Sequence, residues 1–148
     1  MRFLLALSAT VSLVFAPLAD LPKIGERFDI AMRDGYITVH GRRPPCPYIN
    51  KIYAGIQFKF AVDPDEILIY IITDDPHFRT PEGLGVKASL NDVLAAGGHS
   101  VINEEGFHRY SQLPSGWYAA FPNSPHNSLG LPFFETPTEL KVTSFFRR

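Results

Sequence analysis

Asp74, Asp75 and His77 stand almost side by side in TDDPHFRTPEGLGVKASLNDVLAAGG, the stretch from Thr73 to Gly98. Neighbouring carboxylates can share a proton, and histidine titrates near neutrality, so this group could run acid–base chemistry or hold a cation. The same residues also suit a corner. Asp75-Pro76 terminates a strand, and Asp74 can take loop N–H groups as an Asx turn. Thr80-Pro81-Glu82-Gly83 fits a type I turn, with proline second and glycine fourth. Once these local roles are filled, Asp74, His77, Arg79 and Lys87 remain as candidate binding residues. An enzyme built here would be a small hydrolase or metal-dependent catalyst using Asp74, Asp75, His77 and Glu82.

Other chemistry has thinner support. The five histidines, His40, His77, His99, His108 and His126, lie on separate segments with no H-x-x-x-H spacing to fix two ligands on one element. No G-x-S-x-G occurs, and Ser115 sits in a Pro-Ser-Gly turn. GLGV is too glycine-poor for a dinucleotide fingerprint. No cofactor is implied. Cys46, the one cysteine, lies between prolines in RRPPCPY. It cannot form an internal disulfide; a loop or partly buried thiol is the plainer reading, with intermolecular pairing left open. Trp117 and Tyr118 are adjacent, so they point to opposite faces of a strand, one inward and one nearer solvent. An exposed aromatic there would suit recognition of a protein or a sugar, which adds both to the binding candidates.

The elements that must position these residues are mainly strands. Thirteen Pro, 11 Gly and 13% aromatics fit a protein of strands and turns. In ERFDIAMRDGYITVHG, folding about Asp34-Gly35 pairs Met32 with Ile37 and Ile30 with Val39, giving one apolar face. In AGIQFKFAVDPDEILIYIIT, a type I turn over Asp63–Glu66 brings Val62 to Ile67, Phe60 to Ile69 and Phe58 to Ile71. Ile67 to Ile72 is continuously apolar, the mark of a central strand covered on both faces. Ser89 as N-cap, Asp92 three residues on and Gly97-Gly98 as a stop predict one short helix, with Leu90, Val93 and Leu94 at helical spacing. GFHRYSQL and GWYAAF form a third hairpin across Pro114-Ser115. TELKVTSFF is a last strand with Leu140, Val142 and Ser144 on one face. PNSPHNSLGLP reads as a surface loop. The fold expected is α+β: an antiparallel β-sheet built from hairpins with one short helix packed on it.

MRFLLALSATVSLVFAPLAD has a basic start, an apolar stretch and then small residues. That is the pattern of a secretory signal peptide, and the apolar run is shorter than the ~20 residues that span a bilayer. We expect residues 1–19 to be removed after Ala19. Residues 20–148 then form a single exported domain, periplasmic or extracellular, with no membrane span. A net charge of −1 and pI near 6.5 offer no basic surface for phosphates, which argues against a nucleic-acid partner.

ILIYIITDDPHFRTPEGLGVKASLNDVLAAGG, followed by GWYAAF, resembles a recurring module of exported bacterial proteins in which a hydrophobic strand ends in a T-x-D-x-x-F-x-T-P-E-G-like corner. A G-[IL]-x-V-G-x-[ST] segment then opens a short helix. Thr73, Asp75, Phe78, Thr80, Pro81, Glu82, Gly83, Leu84, Gly85 and Val86 match in kind, while Lys87 stands where the module has glycine. The resemblance implies compartment and local fold and carries no activity. The leading expectation is a non-enzymatic exported domain that binds another secreted or envelope protein or an envelope component. The alternatives are the hydrolase or metal enzyme above, and an inhibitor of a secreted enzyme.

Overall fold

The computed structural model describes residues 18–39, 44–104, 109–122 and 140–148. His40, His108, His126, the apolar N-terminal stretch and most of the PNSPHNSLGLP loop lie outside them.

Alternating strand residues and tight turns produce eight strands among the described residues. They are β1 (Gly35–Ile37), β2 (Cys46–Tyr53), β3 (Ile56–Val62), β4 (Leu68–Thr73), β5 (Ile102–Asn103), β6 (Arg109–Gln112), β7 (Tyr118–Phe121) and β8 (Ser144–Arg147), with one helix, α1 (Leu90–Ala95), between β4 and β5. The strands make one antiparallel sheet in the order β1-β2-β3-β4-β8-β7-β6-β5. No helix among the described residues is long and apolar enough to cross a membrane. Among the described residues the fold is an antiparallel sheet with one short α-helix and a 3-10 turn over Leu18–Asp20, so helix contributes less than "α+β" suggests.

The third hairpin forms, with Tyr110 opposite Ala120 and Gln112 opposite Tyr118, but its connection takes in Gly116 as well as Pro114-Ser115, Leu113 N–H donating to the Trp117 carbonyl. The second hairpin forms with a different register. Phe60 faces Ile71 rather than Ile69, and Val62 faces Leu68 rather than Ile67. The Asp63–Glu66 turn closes through Glu66 N–H to the Asp63 carbonyl at 3.1 Å, but Glu66 then turns left-handed (φ 61°). That adds residues to the connection, and a bulge at Ala61/Val62 absorbs the remainder. The slip is two residues along most of the ladder, so the buried face stays buried.

The first hairpin does not form. Gly35, Tyr36 and Ile37 pair with Tyr48, Pro47 and Cys46 of β2, and Met32 is 79% exposed. Asp34 caps this arrangement, its carboxylate accepting from Asn50 N–H at 2.6 Å. Gly35 lies under the Tyr48 ring, where a Cβ would come within 3.0 Å of ring atoms. The Asp-Gly pair therefore serves close approach to a neighbouring strand, and an eight-residue partner outcompetes the local turn. RRPPCPY, expected as a loop, supplies the start of that partner: Cys46 is the first residue of β2 and is buried. Phe28 stacks on Phe60 instead, ring centroids 5.1 Å apart.

β2 and β3 are joined by Ala54-Gly55, both left-handed (φ 51° and 78°), a primed two-residue turn. The helix is capped as expected. Ser89 Oγ accepts from Asp92 N–H, and the Asp92 carboxylate accepts from Ser89 N–H. Gly97 N–H and Gly98 N–H donate to the Leu94 and Val93 carbonyls, ending the helix in a Schellman motif. Val93 is fully buried, whereas Leu94 is 43% exposed and is not part of the packed face.

β4 is central and covered on both faces. One face carries Phe58, Phe60, Ile71, Phe145 and Trp117, packed under Leu21 and Phe28 before β1, Phe78 and Leu84 after β4, and Val93 of α1. The second face carries its own cluster of Ala61, Tyr70, Tyr110, Ala120 and Phe146, joined by Val39 and Cys46.

Candidate functional site

The stretch after β4 is held by its own polar residues. Asp75 takes the Asx role expected of Asp74: its carboxylate accepts from His77 N–H at 2.8 Å, and it also accepts from Gln57 N–H of β3 at 3.0 Å. His77 Nδ1 lies 3.2 Å from the same carboxylate. Gln57 N–H foremost, then His77 N–H, holds the Asp75 carboxyl below its usual pKa. Thr80 and Gly83 close the expected turn, Gly83 N–H donating to the Thr80 carbonyl at 2.8 Å. Glu82 reaches across to the β6–β7 turn and accepts from Ser115 N–H at 2.7 Å and Ser115 Oγ at 3.0 Å. Burial raises the Glu82 pKa, but these bonds more than offset it and the net shift is downward.

Arg79 donates to the Pro76 and Phe78 carbonyls at 2.8 and 2.7 Å and lies over Gly85, where a Cβ would come within 2.4 Å of Nη1. Lys87 is left-handed (φ 74°), the conformation glycine favours, at the position where the resembling module has glycine. Lys87 N–H donates to the Val142 carbonyl, joining the corner to the lead-in of β8. Phe78 is fully buried, its ring 4.9 Å from Trp117 and 5.4 Å from Phe145. Burying such a side chain contributes roughly 1.5–3 kcal/mol. His77, Arg79 and Lys87 thus all have parts in the corner itself.

Asp74 faces elsewhere. On the second face of the sheet, Asn50, Lys59 and Ile72 lie in register on β2, β3 and β4. With Ile37, Asp74 and Ser144 they line a cavity of about 430 Å³ that Gln57 and Thr143 also border. Asn50 Oδ1 is buried there and accepts no hydrogen bond among the described residues. Lys59 Nζ sits over the Tyr48 ring, 5.5 Å from its centroid. An unmet buried acceptor costs about 1–3 kcal/mol, so a ligand that donates to it gains that much. The cavity offers an amide acceptor, a carboxylate, an ammonium and hydroxyls, which suits recognition of a polar group. Ser144 has no histidine beside it in this lining. Nor do Asp75 and His77 border the cavity, so the four residues of the enzyme reading do not converge on it. No group of three His, Cys, Asp or Glu able to hold a metal occurs among the described residues.

Trp117 and Tyr118 do split between the faces. Trp117 is fully buried and so cannot be an exposed anchor, which corrects its place among the surface-binding candidates. Tyr118 is half-buried on the second face and stacks on Phe146 with centroids 4.9 Å apart. Residues that sequence reasoning missed are Asn50, Gln57 and Lys59. Their alternation with Ile49, Phe58 and Phe60 was the available signal, but it marked a polar face without showing that the face is concave.

Comparison with family models, with curated proteins and with solved structures finds no match for this chain.

Proposed function

We propose that this chain is exported and that its domain is a non-enzymatic binding module for another secreted or envelope protein, received in the cavity between Asn50, Lys59, Asp74 and Ser144. The observation that carries this reading is the buried, unpartnered Asn50 Oδ1 at the wall of a cavity beside a carboxylate. Buried polar atoms are nearly always hydrogen-bonded, so an orphan acceptor in an open concavity favours an N–H or O–H donor from outside. A peptide segment supplies such donors, and Asp74 would add attraction for a basic side chain.

Gln57 tests the reading. Its backbone serves the fold, whereas its exposed side chain only borders the cavity. Gln57→Trp should fill the cavity and leave the melting curve close to that of the parent. Affinity capture from envelope extract should then retain a protein with the parent chain and lose it with the variant. Equal capture by both, or no capture by either, refutes the proposal.

A further inference from the structure

We propose that a second cavity, on the opposite face of the sheet, binds a small organic carboxylate, with its head at Arg147 and Trp117 and its apolar part against Leu21 and Pro81. With the full chain this cavity holds about 360 Å³ and is lined by Leu18, Leu21, Lys23, Pro81, Trp117 and Arg147; cleavage after Ala19 would remove Leu18 and leave the other five. Two of its lining residues carry buried N–H groups without an acceptor among the described residues, Trp117 Nε1 and Arg147 Nε. The Arg147 guanidinium lies over the indole, 4.5 Å from the ring centroid, so both groups belong to one packed unit. Arg147 also donates from Nη2 to the Ser115 carbonyl at 3.3 Å, which fixes its plane.

The charge balance favours an anion. Lys23 is exposed at the rim and makes no ion pair among the described residues; only its backbone N–H meets Glu26, at 3.4 Å. Glu82 is the carboxylate that Arg147 senses, and both its oxygens already accept from Ser115. An incoming carboxylate would offer acceptor oxygens to these two unmet donors beside the guanidinium charge. The aliphatic walls of Leu21 and Pro81 leave room for a short chain. The site is independent of the Asn50 cavity and does not rest on the function proposed for it.

Trp117 is the chain's one tryptophan, so its emission reports on this cavity directly. The purified protein is titrated with butyrate at constant ionic strength, and in parallel with butyramide and inorganic phosphate. Butyrate should give a saturable change in emission, with butyramide and phosphate each at least about tenfold weaker. Arg147→Gln should abolish the response. Lys23→Gln, an exposed change that leaves the core intact, should weaken it about threefold. No saturable response to butyrate, an equal response to butyramide or phosphate, or an unchanged titration in Lys23→Gln overturns the proposal.

Discussion

Removing the Glu82 carboxylate should loosen the chain at one identifiable joint. Glu82 lies in the turn after Arg79 and accepts from Ser115 N–H at 2.7 Å and Ser115 Oγ at 3.0 Å, so it ties the corner after β4 to the β6–β7 turn. Hydrogen bonds to a charged group are worth about 1.5–3 kcal/mol each when shielded. Glu82 is only half-buried, so solvent screening brings each nearer to about 1 kcal/mol. Glu82→Ala should therefore cost about 2 kcal/mol, or roughly 6 °C in melting temperature for a chain of this size. Urea unfolding followed by Trp117 emission measures it, since the indole is buried beside Phe78 in the native state.

The pH dependence supplies a second, sharper check. The Glu82 pKa is lower in the folded chain than the ~4.3 of an unfolded one. The unfolded state then binds more protons in that range, so the Glu82 contribution is fully present above about pH 4.3 and fades as pH falls through the folded value. The deficit of Glu82→Ala should be full at neutral pH and shrink below pH ~4. A deficit under about 0.5 kcal/mol, or one of equal size at both pH values, would refute the assignment of Glu82 as a charged tie. A double-mutant cycle with Ser115→Ala should show coupling of about 0.5–1 kcal/mol, from the hydroxyl bond alone.

Asp75 should behave similarly under acid: its carboxyl is held down chiefly by Gln57 N–H, so Asp75→Asn should flatten the fall of melting temperature as pH drops below ~3.9; an unchanged slope would contradict this. Ala54 and Lys87 both carry a left-handed backbone without being glycine. Ala54→Gly and Lys87→Gly should each stabilise the chain by about 0.5–1 kcal/mol in urea titrations, and destabilisation by either would show that the strain is absent. Cys46 is buried in β2, so a thiol reagent should label it only after unfolding. Rapid labelling of the native chain would reopen intermolecular pairing.

What could be read from the sequence was whatever a few consecutive residues decide. Ser89 with Asp92, Gly97 with Gly98, and Thr80 to Gly83 act through bonds spanning at most five residues, and each does in the fold what its spacing predicts. The third hairpin belongs with them, because Pro114 to Gly116 set its turn. Asp34-Gly35 is the instructive failure. Its turn signal is as strong as any in the chain, yet Gly35 serves the close approach of Tyr48 and β1 joins a longer strand. A two-residue turn yields little when an eight-residue partner competes for the same strand, and that competition is settled by contacts that sequence spacing does not encode. The Ala54-Gly55 turn was missed for the converse reason: alanine rarely adopts the left-handed region, so the strongest hairpin in β2–β3 lacks the Asn-Gly mark.

The candidate sites follow the same division. Asp74 could be singled out because its neighbours already had local roles, and it does border a cavity. Its companions there, Asn50, Lys59 and Ser144, come from β2, β3 and β8, and they meet because β8 inserts between β4 and β7. Nothing in the order of the chain announces that insertion, since it joins the last strand to one formed some seventy residues earlier. His77 and Arg79, equally prominent in the sequence, are consumed by bonds to Asp75 and to the Pro76 and Phe78 carbonyls. Density of polar residues along the chain therefore marked the best-built corner, whereas unmet polar atoms such as Asn50 Oδ1 on β2 and Trp117 Nε1 just before β7 lie in segments that read as ordinary alternation. For this fold, both proposed sites rest on atoms left without a partner after folding rather than on the residue types that stand out before it.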